Sequence, residues 1–97
     1  MQTRKDYNNA ISVVGAVIKD WDPYSLLAGG APDDEFDSEI ASVVTQIPRI
    51  ASANDAVHAV SRVFSSAFDA DTFAPAHCSD DGNRIYSALL DAKLVDA

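Results

Sequence analysis

Hydrophobic residues recur at intervals of three and four along four parts of this chain, and that spacing is typical of amphipathic helices. The first stripe predicts a helix over residues 4–21, and Thr3 followed by Asp6 resembles a capping box at its start. Gly15 interrupts the stripe, which is compatible with a close contact to another helix. No segment alternates between polar and apolar residues for long enough to predict a strand.

Two further stripes predict the second and third helices. The second covers residues 35–47, with Asp34 as its cap, and it ends at Pro48 because proline lacks a backbone donor. The third covers residues 53–68 and has Ser52 as its cap.

The rest of the chain predicts a long loop and a fourth helix. Residues 69–82 have a loop composition, and we expect Phe73 to reach back into the core from that loop. Helix 4 should begin at Ser79 or Asp80 and has apolar positions at Ile85, Tyr86, Leu89, Leu90 and Leu94. The pattern therefore predicts one all-α domain over residues 1–97, a compact antiparallel bundle of four helices.

The connection between helices 1 and 2 is rich in residues with special backbone preferences. Asp22 followed by Pro23 predicts the start of a short extra helical turn, with the Asp22 carboxylate accepting from the N–H of Tyr24 or Ser25. The two glycines at 29–30 should end that turn, and Tyr24 is expected to face solvent.

Charge is distributed unevenly along the chain. The net charge is −8, yet residues 20–48 contain seven acids and no Lys or Arg, and residues 63–83 contain four more acids and again no Lys or Arg. Both stretches surround predicted connections between helices. If those connections share one end of the bundle, the acids form one negative surface, more than helix capping needs, although plain solubility is an alternative explanation.

Such a surface would attract a basic protein and repel nucleic acid. We expect Tyr24 to be the aromatic anchor of the contact, because aromatic side chains often dominate binding energy. The candidate partner-binding residues are Tyr24, Asp33, Asp34, Glu35, Asp37, Glu39, Asp69, Asp71, Asp80 and Asp81.

The residues that most often carry catalysis or bind metals are few. His58 is expected to be a partly buried, hydrogen-bonded helix residue. His77 and Cys78 are adjacent and lack the usual spacing of metal ligands, and Asp80 and Asp81 should raise the pKa of the Cys78 thiol. We therefore expect no enzymatic activity, no cofactor and no metal.

The compartment follows from what the sequence lacks. The single cysteine allows no internal disulfide, no apolar run approaches the length of a membrane span, and the first ten residues do not resemble a signal peptide. We expect a cytoplasmic protein.

The segment WDPYSLLAGGAPDDEFDSEI, residues 21–40, resembles the signature of a small bacterial helical family. Members carry W-D-P, an apolar pair, G-A-P and then an acid-rich D-E-aromatic-D-x-E-I. The family includes immunity proteins encoded beside contact-dependent or polymorphic toxins. The resemblance covers about a fifth of the chain and implies a helical fold but no catalytic residues.

The leading hypothesis is therefore an immunity protein that binds and neutralises a basic toxin domain, with a nuclease as the expected toxin and a 1:1 complex as the expected assembly. The alternative is an intracellular helical adaptor or regulator that acts through protein contacts or as a homodimer. A small enzyme is the least favoured class.

Overall fold

The structure is a computed structural model that describes residues 3–95. Within these residues the helices are Arg4–Trp21 (α1), Asp37–Thr45 (α2), Ala53–Ala67 (α3) and Ser79–Asp91 (α4), with single 3-10 turns at Pro23–Ser25, Ile47–Arg49 and Pro75–His77. No strand occurs in this part of the chain. The predicted all-α bundle is confirmed, including the extra turn between the first two helices.

The starts of α1 and α3 follow the predicted capping signals. The Thr3 hydroxyl accepts a hydrogen bond from the Asp6 N–H at 3.1 Å, and the Ser52 hydroxyl accepts one from the Asp55 N–H at 3.2 Å. Both cap residues have extended backbone, so their side chains can reach N–H groups that have no partner inside the helix. α1 has the predicted bounds, and α3 ends one residue before the predicted position, at Ala67.

The start of α2 differs from the prediction. The helix begins at Asp37, and no side chain caps it; Asp34 instead accepts from the Asp37 N–H through its backbone carbonyl, at 3.1 Å. Phe36 explains the difference, because its fully buried ring lies 6.2 Å from that of Phe64 and fixes the backbone just before the helix. Packing of one ring therefore overrides the capping preference of Asp34.

The two remaining connections are held by short turns and by the core. α2 ends at Thr45, two residues before the predicted end, and the turn Ile47–Arg49 follows. In the loop between α3 and α4, Phe73 is buried as predicted, and its carbonyl accepts from the hydroxyls of Ser61 at 2.6 Å and Ser65 at 3.2 Å. The loop is therefore fastened along the side of α3.

An aromatic cluster fills the core where α1 and α3 end. Its centre is Phe64, which is fully buried. Ring centroids lie 5.1 Å from Phe64 for Trp21, 5.3 Å for Phe73 and 5.9 Å for Phe68. These contacts bring the connection after α1 and the loop after α3 to the same end of the bundle.

Gly82 marks the closest approach of α3 and α4. A Cβ atom on Gly82 would lie 2.5 Å from the Cα of Val57, closer than two carbon atoms pack. Gly15, where the sequence suggested a close contact, has ordinary spacing, because its Cβ would lie 3.5 Å from the Ile40 Cδ1. The glycine that the packing requires is therefore Gly82.

Candidate protein-binding surface

The turn after α1 has an unusual backbone. Asp22, Tyr24 and Ser25 have φ values of 49°, 61° and 52°, in the left-handed region that favours glycine. The Asp22 carboxylate accepts from the N–H groups of Leu27 at 2.8 Å and Ala28 at 3.0 Å, so the prediction that it caps Tyr24 or Ser25 is wrong. Because Asp22 is itself left-handed, its side chain lies over the next turn, and only its backbone carbonyl accepts from Ser25, at 2.8 Å.

Tyr24 fastens this turn to the loop after α3. Its hydroxyl donates to Asp69 Oδ2 at 3.0 Å, and its ring lies 5.6 Å from Phe68 and 5.5 Å from Phe73. The side chain is nevertheless 52% exposed, as predicted, and Phe68 is 37% exposed. Tyr24 and Phe68 therefore form an exposed aromatic pair.

Asp69 has a structural role within its own loop. It accepts from the Asp71 N–H at 3.0 Å, the Thr72 N–H at 3.2 Å and the Thr72 hydroxyl, besides Tyr24. The hydrogen bond from the Thr72 hydroxyl, followed by those from the Thr72 N–H and Tyr24, lowers the pKa of Asp69. Asp71 is exposed beside it. That either residue contacts a partner stays a prediction.

Arg84 links the start of α4 to the end of α1. Its guanidinium lies 2.8 Å from Asp20 Oδ2 and 3.4 Å from Asp81 Oδ1. Burial raises the pKa of the Asp81 carboxyl; Arg84 opposes this effect, and the charges of Asp80 and Asp20 add to it. The pair Asp80 and Asp81 therefore lies near the acids that end α1.

The acids at the start of α2 reach the same region. Asp33, Asp34, Glu35 and Asp37 are exposed. Glu39 is half-buried, and burial together with the negative charge of Glu35 raises its pKa. Glu39 lines a cavity with Ser66 and Ala67, the last residues of α3 before Phe68.

We define the acidic end as the acids of residues 20–22, 33–39, 69–71 and 80–81. Residues 69–71 follow the finish of α3, Glu39 lines a cavity with the last residues of α3, and Asp81 lies near the finish of α1, joined to Asp20 through Arg84. It contains eleven of the 15 acids; Asp6, Asp55, Asp91 and Asp96 lie outside it. Tyr24 and Phe68 join the connection after α1 to the loop after α3, and Arg84 joins the finish of α1 to the start of α4. Acids from the two acidic stretches of the sequence therefore lie near one another on the folded protein.

The two histidines occupy different environments. His58 is exposed and makes no hydrogen bond within the described chain, so the expectation of a partly buried, bonded residue is wrong. The Nδ1 atom of His77 lies 3.2 Å from the carbonyl oxygens of both Asp71 and Thr72, an arrangement that requires a proton on Nδ1. In residues 3–95, no group of three or more His, Cys, Asp or Glu side chains is arranged to hold a metal. No helix among these residues combines the length and apolarity that crossing a bilayer requires.

Cys78 should be unreactive in the folded protein. Its side chain is buried, and burial, with a contribution from the Asp81 charge, raises the pKa of the thiol to about 11. Because the thiolate is the nucleophile, we expect iodoacetamide at pH 8 to label Cys78 in urea but not in buffer, as measured by mass spectrometry. Equal labelling rates in the two conditions would contradict the buried position.

A family model described as "Domain of unknown function (DUF1871)" matches residues 13–92, from within α1 to just past the end of α4. No curated protein and no solved structure matches the chain. The matched region includes the second half of α1, the whole of α2, α3 and α4, and both connections that contribute to the acidic end. This chain therefore belongs to the DUF1871 family.

Proposed function

We propose that the acidic end binds a basic protein domain, and that this partner is a toxin that the protein neutralises. The observation that supports the proposal is the exposed pair Tyr24 and Phe68 at the finish of α3, in contact with Asp69 and close to acids from both acidic stretches of the sequence. The toxin identity rests on the resemblance of residues 21–40 to immunity proteins.

An aromatic pair inside a charged surface suits protein recognition. Rigid aromatic side chains bury a large area with little loss of conformational freedom, and they are common at the centres of interfaces. Here Tyr24 is already held by Asp69 and Phe68, so binding would cost little ordering of this side chain. The surrounding acids would guide a cationic partner to the pair and lower the affinity for anionic ones.

The same arrangement would inhibit a nuclease. An enzyme of that class needs Lys and Arg side chains to hold the phosphates of its substrate. Carboxylates at the acidic end, above all those of residues 33–37, would pair with these bases and occupy the space of the nucleic acid. Inhibition would then be steric and electrostatic, with no chemical step.

Salt dependence of association tests the electrostatic part of the proposal. The partner to use is a basic toxin domain encoded next to this gene or captured by pull-down from the source cell. We expect its association rate, followed by stopped-flow fluorescence, to fall about tenfold or more between low and high salt, because salt screens long-range attraction. A rate that does not change would exclude steering by the acidic end.

The exposed aromatic pair also gives the adaptor alternative its one structural support. A homodimer could bury Tyr24 and Phe68 against a second copy, although two acidic ends would then repel each other. Sedimentation at rising concentration distinguishes the two functions. A single monomeric species agrees with the toxin-binding proposal, whereas a dimer that Tyr24→Ala dissociates would favour the adaptor.

A further inference from the structure

A polar groove lies between α2 and α3, separate from the aromatic pair. It consists of two adjoining cavities of about 310 and 220 Å³. Gln46 and Arg62 line both cavities, so the two lie side by side at these residues. The larger cavity lies toward the finish of α3 at Ser66 and Ala67, and the smaller lies toward its start at Asn54. We call the whole the α2–α3 groove.

The wall from α3 is one polar stripe. Asn54, His58, Arg62 and Ser66 follow one another at four-residue steps, which place them on one face of a helix. The opposite wall carries Glu39, Ser42 and Gln46 of α2 and Arg49 of the next turn. Both walls therefore present hydrogen-bonding groups to the space between them.

The smaller cavity holds two arginines that have no carboxylate partner. Among the described residues the ion pairs involve Arg84, and neither Arg49 nor Arg62 makes one. Asp55 also lines this cavity, but one of its oxygens accepts from the Ala51 N–H at 2.9 Å. Both guanidinium groups are exposed and make no ion pair, so their N–H groups are available to an oxyanion that enters the cavity.

Gln46 supplies a second, independent indication that the groove binds a ligand. Its Oε1 atom is buried and accepts no hydrogen bond. A buried acceptor without a donor costs about 1–3 kcal/mol, so such groups usually have an explanation in a bound water or ligand. Because Gln46 lies where the two cavities join, a ligand that filled both could donate to this oxygen.

We propose that the α2–α3 groove binds a small ligand that carries an oxyanion at one end and hydroxyl groups at the other. The oxyanion, a phosphate or a carboxylate, lies between Arg49 and Arg62, whose forked N–H groups match its oxygens. The hydroxyl groups donate to Gln46 Oε1 and contact Ser42 in the larger cavity. The anion-binding half of the site, in the smaller cavity, lies by the start of α3 and contains no residue of the acidic end, so binding of the oxyanion does not depend on the proposed partner. The larger cavity shares Glu39 with the acidic end.

Three matched sugars test the proposal on the full chain. Glucose 6-phosphate and glucuronate carry a phosphate and a carboxylate on similar rings, and glucose carries neither. At constant ionic strength with chloride as the background anion, we expect glucose 6-phosphate or glucuronate to shift the NMR signals of Arg49, His58 and Arg62, and glucose to leave them in place. The anion that binds more tightly identifies the headgroup. Absence of shifts with both anions would overturn the proposal.

Substitutions separate the two halves of the site. Arg62→Gln and Arg49→Gln should each weaken binding of the better anion about tenfold, whereas Arg4→Gln, an exposed arginine at the start of α1, should not. Equal affinity in Arg62→Gln and the unaltered protein would overturn the site. Gln46→Leu should remove the preference for glucose 6-phosphate over inorganic phosphate while phosphate still binds. An unchanged preference would overturn the role of Gln46.

Discussion

Replacing Gly82 with alanine is expected to lower the free energy of unfolding by about 3 kcal/mol, at the upper end of the usual cost of overpacking. The added methyl group would lie 2.5 Å from the Val57 Cα and 2.8 Å from the Val57 nitrogen. Backbone atoms cannot move aside as a side chain does, so α3 and α4 would have to separate. The gain in helix propensity from Gly to Ala, about 1 kcal/mol, is too small to compensate.

Gly15→Ala is the matched control and should act in the opposite direction. Its methyl group would meet only the Ile40 side chain, at 3.5 and 3.8 Å, which is ordinary contact. We expect urea denaturation to show a gain of up to about 1 kcal/mol for Gly15→Ala, and thermal melting to show a loss of about 10–20 °C for Gly82→Ala. If both variants were equally stable, the close approach of α3 and α4 would be wrong.

The triple variant Asp33→Lys, Asp34→Lys and Glu35→Lys is expected to abolish protection against the cognate toxin while the fold is kept. All three side chains are exposed, and none makes a side-chain hydrogen bond within the described residues, so their loss should leave the packing unchanged. Each reversal adds two charges, which changes the net charge from −8 to −2 and places three cations in the proposed contact. Cell survival during co-expression with the toxin measures protection, and circular dichroism measures helix content.

Two further variants distinguish charge at this site from charge in general. Asp33→Asn, Asp34→Asn and Glu35→Gln removes the charges but keeps the shapes, and should weaken protection less than the reversal. Asp91→Lys reverses an exposed acid in the last turn of α4 and should protect fully. If the triple lysine variant still protects cells, the start of α2 is not part of the binding site.

The sequence predicts well the features that depend on neighbours in the chain. α1 has its predicted bounds because its apolar spacing and the Thr3 cap are both local. The same holds for the Ser52 cap of α3. Burial of Phe73 was predictable because a large apolar side chain in a polar loop is stabilised when it packs into the core.

Features that depend on distant contacts were not predictable in the same way. Asp34 has the composition of a cap, but the burial of Phe36 against Phe64 moves the start of α2. From the sequence alone, Gly82 is typical of a turn. The need for glycine at this position becomes visible only in the structure, where Val57 packs against it. His58 lies at the edge of the apolar stripe of α3. The stripe alone does not tell whether such a residue is buried, and only the packing of α2 beside α3 shows that His58 is exposed.

The candidate surface was likewise only partly predictable from the sequence. Counting charges was enough to locate the acidic stretches, because charge is a property of composition. That acids from both stretches lie near one another required the bond from Tyr24 to Asp69 and the contacts of Arg84, which join residues 45 and 64 positions apart. The α2–α3 groove gave no signal, since each of its walls alone looks like the solvated face of a helix.

The direction of α1 has a practical consequence. Its 18 residues rise about 1.5 Å each, so Thr3 lies roughly 27 Å along the axis from Trp21 and the acidic end. Tyr86, past the middle of α4, already reaches the Ala51 carbonyl ahead of α3, at 3.3 Å, so α4 runs away from that end toward its own finish at Asp91. An affinity handle, a fluorescent reporter or a neighbouring domain joined ahead of α1 or after α4 would therefore lie away from the acidic end. When the protein is immobilised through such a handle, its acidic end would face the solution and stay accessible to a binding partner.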